Sequence, residues 1–171
     1  MYQGLVLFYV GAVLILNGLW MLGRIGDREI PLINFFVGGI SLLVSLKLAF
    51  GADADAASVR TAAFSLLFAC TYLWVAFNRY NGSDGRGLGW FSLLVALTAL
   101  PVAVDVLIAA NSVWGYWHAL SWVAWAGLWF LFFLVLVCGK PWTRMTGGVA
   151  IAQGALTGGL PGYLLLTGRI G

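Results

Sequence analysis

Residues 106–139 read VLIAANSVWGYWHALSWVAWAGLWFLFFLVLVCG and hold no Asp, Glu, Lys or Arg. A helix crossing a bilayer needs about 20 mostly apolar residues. The run is therefore too long for one span. It breaks at Asn111-Ser112 and near Gly115, which read as a loop. A membrane helix lies on each side of that break, and the rest of the chain repeats the pattern.

Nine Lys+Arg and six Asp+Glu are the only formal charges among 171 residues, and 62% of the chain is hydrophobic. A soluble domain carries about a quarter charged residues. A water-facing surface cannot be built from this composition, which excludes a soluble enzyme, a disordered chain and a nucleic-acid binder. The pI near 9.1 rests on a net charge of only +3, too thin for a phosphate-binding surface. Cys70 and Cys138 both sit in apolar runs and match no metal spacing. They read as buried packing residues rather than a disulfide.

The charges punctuate the chain. They cluster at Arg24–Glu29, Lys47–Arg60, Arg79–Arg86, Asp105 and Lys140–Arg144. The expectation is one all-α integral membrane domain over 1–171, with helices near 3–23, 31–50, 61–79, 88–109, 114–138 and 146–168. No stretch alternates polar and apolar residues as a membrane strand would. The loops after helices 1, 3 and 5 hold Arg24, Arg28, Arg79, Arg86, Lys140 and Arg144. The other side holds Lys47, Arg60 and Arg169. Basic residues favour the cytoplasm, so both termini are expected outside. The first helix lacks a basic leader and reads as a permanent span rather than a cleaved signal. Helices 2, 4 and 6 open at Asn34, Trp90 and Gly147, at nearly even spacing. Three helical hairpins in a ring would fit; so would the chance recurrence of evenly spaced spans.

Inside the spans, Asp105 is the only acid, and it lies toward the outer end. Intramembrane carboxylates mark ion-coupled transport, and their scarcity argues against a pump. His118 has no second ligand or catalytic partner near it in sequence, so neither metal nor cofactor is expected. Asn17, Thr71, Tyr72 and Gln153 are neutral polar groups in hydrocarbon, where each must find a partner. Interhelical hydrogen bonding explains any one of them; a shared polar path explains the set. Trp20, Trp90, Trp114, Trp117 and Trp142 sit near span ends, where aromatic belts form. Trp74, Trp122, Trp125 and Trp129 are interior. The last three are spaced i, i+3, i+7 and share a helix face. Stacked indoles there would build flat walls of a slot for a small planar solute. Gly154-x-x-x-Gly158 reads as a close-packing motif, and Pro101 and Pro161 as places where helices loosen.

Several segments together resemble the urea/amide channel family. They are Leu7-Phe8-Tyr9-Val10-Gly11 with Asn17-Gly18, Ile33-Asn34-Phe35-Phe36-Val37-Gly38-Gly39, and Phe68-Ala69-Cys70-Thr71-Tyr72-Leu73-Trp74. Trp122-Val123-Ala124-Trp125-Ala126-Gly127-Leu128-Trp129 and Leu160-Pro161-Gly162 follow in order. The likeness is closer to the amide channels of amidase operons than to the acid-gated urea channel. It implies a passive, water-permeable channel for urea and short aliphatic amides such as acetamide, in the bacterial inner membrane. It implies a pore inside each protomer and a homohexamer whose centre is filled by lipid. It places pore constrictions at Cys70, Trp74, Trp122, Trp125 and Trp129, with Leu14, Asn17, Thr71, Tyr72 and Gln153 also lining the path. Two positions depart from the urea-channel pattern: Gln153 replaces an acid and Cys70 an aromatic. The outer loop, roughly Gly51 to Arg60, holds no histidine. Histidine is the natural acid sensor, so little pH gating is expected. The rival readings are an ion- or proton-coupled carrier and a non-transporting membrane partner of an amidase or urease.

Overall fold

The computed structural model describes all residues 1–171 as helices and short loops, with no strand. They are α1 (Tyr2–Met21), α2 (Ile30–Phe50), α3 (Ala56–Asn81), α4 (Arg86–Ala109) and α5 (Val113–Leu136). The sixth span, Thr143–Leu166, consists of α6 (Thr143–Gln153), a π-helical turn (Gly154–Gly159) and α7 (Leu160–Leu166). All six spans are long and apolar enough to cross a membrane.

The local chemistry sets the ends. Pro31 opens α2, where its missing N–H costs nothing. At α3 the Asp55 carboxylate accepts the Ser58 N–H at 2.7 Å, and the Ser58 hydroxyl takes the Asp55 N–H at 2.8 Å. This capping box starts the helix at Ala56, five residues before the hydropathy-based expectation of 61. The preceding loop shrinks accordingly to residues 51–55. Ser112 caps α5 by accepting the Gly115 N–H at 3.1 Å.

The helices pack as three pairs: α2 along α3, α4 along α5, and α1 along the sixth span. Two pairs are hairpins. The third joins the two ends of the chain, so the ring closes without a connecting loop.

That closing pair is built on backbone contact. A Cβ on Gly11 would collide with Gly159 backbone atoms and come within 2.7 Å of the Gly154 carbonyl oxygen. A Cβ on Gly158 would lie 2.6 Å from Gly11 Cα, and one on Gly18 would lie 2.5 Å from the Gly147 oxygen. Gly154 and Gly158 therefore belong to a stripe that meets Gly11 and Gly18, because lipid gives no hydrophobic drive and close approach must supply the contact. Within the π turn the register shifts to i→i+5, so the donor facing the Leu156 carbonyl is Pro161, which has none. That carbonyl instead accepts the Trp117 indole N–H at 2.9 Å. Trp117 is thus a structural link between α5 and the sixth span as well as an interfacial residue.

Cys70 and Cys138 are both free and exposed on the outer surface of the bundle, not buried as their apolar surroundings suggested. In a membrane protein an apolar run faces lipid as readily as core.

Gly11→Ala should lower thermal stability in detergent by about 1–3 kcal/mol through overpacking. Gly148→Ala, where a Cβ meets nothing within 4 Å, should be neutral or slightly stabilising. Equal losses would contradict the close-packed stripe.

Candidate functional site

Two cavities enter the bundle from opposite ends. One, of about 360 Å³, opens where the loops after α1, α3 and α5 lie and is lined by Leu14, Asn17, Thr71, Tyr72, Asn78 and Leu128 among others. The second, of about 620 Å³, opens at the end carrying the chain termini, past Gln3, Arg60, Ser65, Asp105, His118 and Trp122. Phe68 and Trp125 line both. These two rings are the partition between the cavities.

The partition is an edge-to-face cluster. Phe68 of α3 meets Trp122, Trp125 and Trp129 of α5 at centroid distances of 5.8, 5.1 and 4.8 Å, with interplanar angles of 71–84°. Trp122 and Trp125 meet at 5.1 Å and 76°. The sequence suggested parallel indoles as flat walls; the ring quadrupole favours the edge-to-face arrangement instead. All three indoles are buried.

Each indole N–H has its own acceptor. Trp122 donates to His118 Nε2 at 3.1 Å, Trp125 to Thr157 Oγ1 at 2.8 Å and Trp129 to Thr71 Oγ1 at 3.3 Å. Thr157 and Thr71 in turn donate to the carbonyls of Gln153 and Leu67, each at 2.7 Å. The N–H groups are used within the protein, which leaves the ring surfaces to line the space. The bond from Trp122 requires an unprotonated His118 Nε2. His118 is also stacked on Trp114 at 5.1 Å.

The other polar residues divide. Asn17 and Asn34 form a reciprocal amide pair at 3.0 and 2.6 Å, and Asn34 also donates to the Ile30 carbonyl at 3.0 Å. Asn17 lines the smaller cavity while held by this pair. Tyr72 lines the same cavity. Gln153 lines neither: its Nε2 donates to the Ala124 carbonyl at 2.8 Å, tying the sixth span to α5, and its Oε1 is buried without a partner.

Cys70 and Trp74 do not join the cluster. Both are exposed, and Trp74 packs on Phe91 at 5.6 Å outside both cavities. Phe68, Thr71, Tyr72 and Val75 form the inward face of α3. Residues 70 and 74 follow Phe68 by two and six positions, and at about 100° per residue they turn to the opposite side. Sequence reasoning missed Phe68, the hub of the cluster, and Asn78. The signal for Phe68 was its i, i+3, i+4 spacing with Thr71 and Tyr72, and that for Asn78 its place seven residues beyond Thr71 on the same helix face.

The charged groups stay at the mouths. At one mouth Trp20 donates to Asp27 at 2.6 Å, and the Arg79 guanidinium lies 5.4 Å from the Trp20 ring centroid. At the other, Arg60 and Asp105 are exposed. No group of acidic, His or Cys side chains is placed to hold a metal ion.

Asn34→Leu strands a buried partner amide and should cost about 1–3 kcal/mol in detergent unfolding, whereas the double change Asn17→Leu/Asn34→Leu should recover part of that loss. Additive losses would contradict the pairing.

Residues 2–169 match the model of the AmiS/UreI family transporters. A Mycolicibacterium smegmatis protein, whose name proposes it as an amidate substrates transporter, is 43% identical over 168 residues, covering 97% of this chain and 77% of that one. Rhodococcus erythropolis AmiS2, also named provisionally as a transporter, is 40% identical across 95% of this chain and 78% of its own. The closed-state structure of the Helicobacter pylori urea channel superimposes with a TM-score of 0.86 at 33% identity, over 98% of this chain and 99% of that one. With its six spans, this multi-pass membrane chain belongs to the AmiS/UreI family of transporters.

Proposed function

We propose that the protein is a passive channel for urea and short aliphatic amides. The observation that carries this reading is the meeting of two cavities at one uncharged aromatic partition. A solute leaving bulk water passes Phe68, Trp122, Trp125 and Trp129, whose ring surfaces suit a small planar molecule. Thr71, Tyr72 and Asn17 replace part of its hydration, and Leu14 narrows the apolar wall. Gln153 acts from behind, through α5. Trp74 and Cys70 lie on the outer surface and have no place in this path. Each contact must be weak enough to release the solute. Ions are rejected because no charge at the partition repays their dehydration. Water follows the same route.

The family likeness supports assembly as a homohexamer with lipid at its centre, in the bacterial cytoplasmic membrane. The excess of Arg and Lys in the loops after α1, α3 and α5 supports placing those loops in the cytoplasm and both termini outside. The smaller cavity then faces the cytoplasm.

Strong acid gating is absent from this reading. The outer α2–α3 loop has no histidine, and the Ser58 N–H and hydroxyl hold the Asp55 carboxyl below its ordinary range. A depressed carboxylate keeps its cap above the unfolded value and loses it only as pH falls through the folded one. That window lies below about pH 4. The titratable and charged groups lining the outer cavity are the Met1 α-amino group, Tyr2, Arg60, Asp105 and His118.

In proteoliposomes followed by stopped-flow light scattering, urea and acetamide should enter faster than in empty vesicles, linearly with concentration. Rates should agree within about twofold at pH 5 and 8, and His118→Gln should leave that pH profile unchanged. Trp125→Ala should alter solute selectivity more than Trp142→Ala at the interface. Uptake that depends on an ion or proton gradient, a several-fold pH response or equal effects of the two tryptophans would contradict the reading.

A further inference from the structure

We infer that Asn78 is an amide-reading station inside the smaller cavity, between its mouth and the aromatic partition, selecting solutes that carry a carbonyl and an N–H side by side. The inference rests on the channel reading above and specifies its substrate class: primary carboxamides and ureas.

Asn78 lies near the end of α3 and is only 6% exposed. Its side chain makes no hydrogen bond to the protein, although it lines the cavity of about 360 Å³. Only Ser41, Thr146 and Gln153 carry side-chain polar atoms that are both sealed and unpartnered, so the Asn78 amide is reachable from the cavity by water and by a solute of matching hydrogen-bonding chemistry. Its neighbour on the α4 side is Gly85, where a Cβ would stand 3.9 Å from Asn78 Nδ2. Gly85 is set by its positive φ of 82°, and a Cβ there would touch the amide only at ordinary van der Waals distance.

The chain itself shows what a carboxamide pairs with in this bundle. Asn17 and Asn34 exchange two hydrogen bonds at 3.0 and 2.6 Å. A carboxamide offers an acceptor and a donor in one plane, and a second carboxamide or a urea answers both at once. A polyol has no rigid planar donor–acceptor pair and loses one of the two bonds. Asn78 is a comparably buried amide that forms no such pair within the chain, and a passing solute can answer it in the same way.

Tyr72, 2% exposed, also lacks a hydrogen-bond partner and lines the same cavity. It precedes Asn78 by six residues on α3, about 9 Å along the axis. The two groups are successive stations rather than one site. A solute handed from Asn78 to Tyr72 reaches Phe68 without regaining full hydration.

The test compares acetamide and glycerol permeability in the same proteoliposomes, for the wild type, Asn78→Leu and Asn78→Ala. The acetamide-to-glycerol ratio should fall by about threefold to tenfold in both variants, the range for losing one or two net hydrogen bonds. An unchanged ratio overturns the station and leaves Asn78 to water alone, even if both permeabilities drop together. Failure of both variants to fold assigns Asn78 a structural role and overturns it as well. A wild type that passes no acetamide overturns the channel reading and the station with it.

Discussion

Every indole N–H of the α5 stripe finds its acceptor inside the protein. Trp122 finds it on its own helix at His118, Trp129 on α3 at Thr71, and Trp125 on the π turn at Thr157. Those bonds fix the rotation of each ring. Phe68 then has one edge-to-face socket to fill, and filling it closes the space between the two cavities. The partition follows from the satisfaction of three donors.

The glycine stripe serves the same arrangement from the other side. Gly11 and Gly18 bring α1 against the sixth span at backbone distance. The π turn widens that span by one residue where Thr157 must reach Trp125. π turns are frequent at functional sites. Here the local departure from α geometry places a hydroxyl, so a packing feature and a cavity-lining ring are coupled through a single threonine.

The six spans were legible because lipid punishes charge, so the few charged side chains fall between helices. The tryptophan stripe was legible because i, i+3, i+7 spacing survives in the sequence. The direction of α3 was not. Cys70 and Trp74 share a face, but spacing alone does not say whether that face meets the core or the lipid, and an apolar helix looks alike from both sides. Phe68 was hidden for a related reason: its spacing with Thr71 and Tyr72 marks a shared face, but does not say which way that face turns until its three tryptophan partners are placed. The early start of α3 rests on Asp55 and Ser58, polar residues that hydropathy discounts and capping chemistry explains.

The central claim is that solute passes through the protomer, between α3 and α5, rather than along its outside. Native cysteines make it testable, since Cys70 and Cys138 are both exposed outside the cavities, whereas Leu128 lines one. Urea flux should survive treatment of the wild type with neutral methyl methanethiosulfonate and should fall several-fold in Leu128→Cys. Block of the wild type, or full flux through a Leu128→Cys protein shown by mass to be modified at that position, would contradict the account.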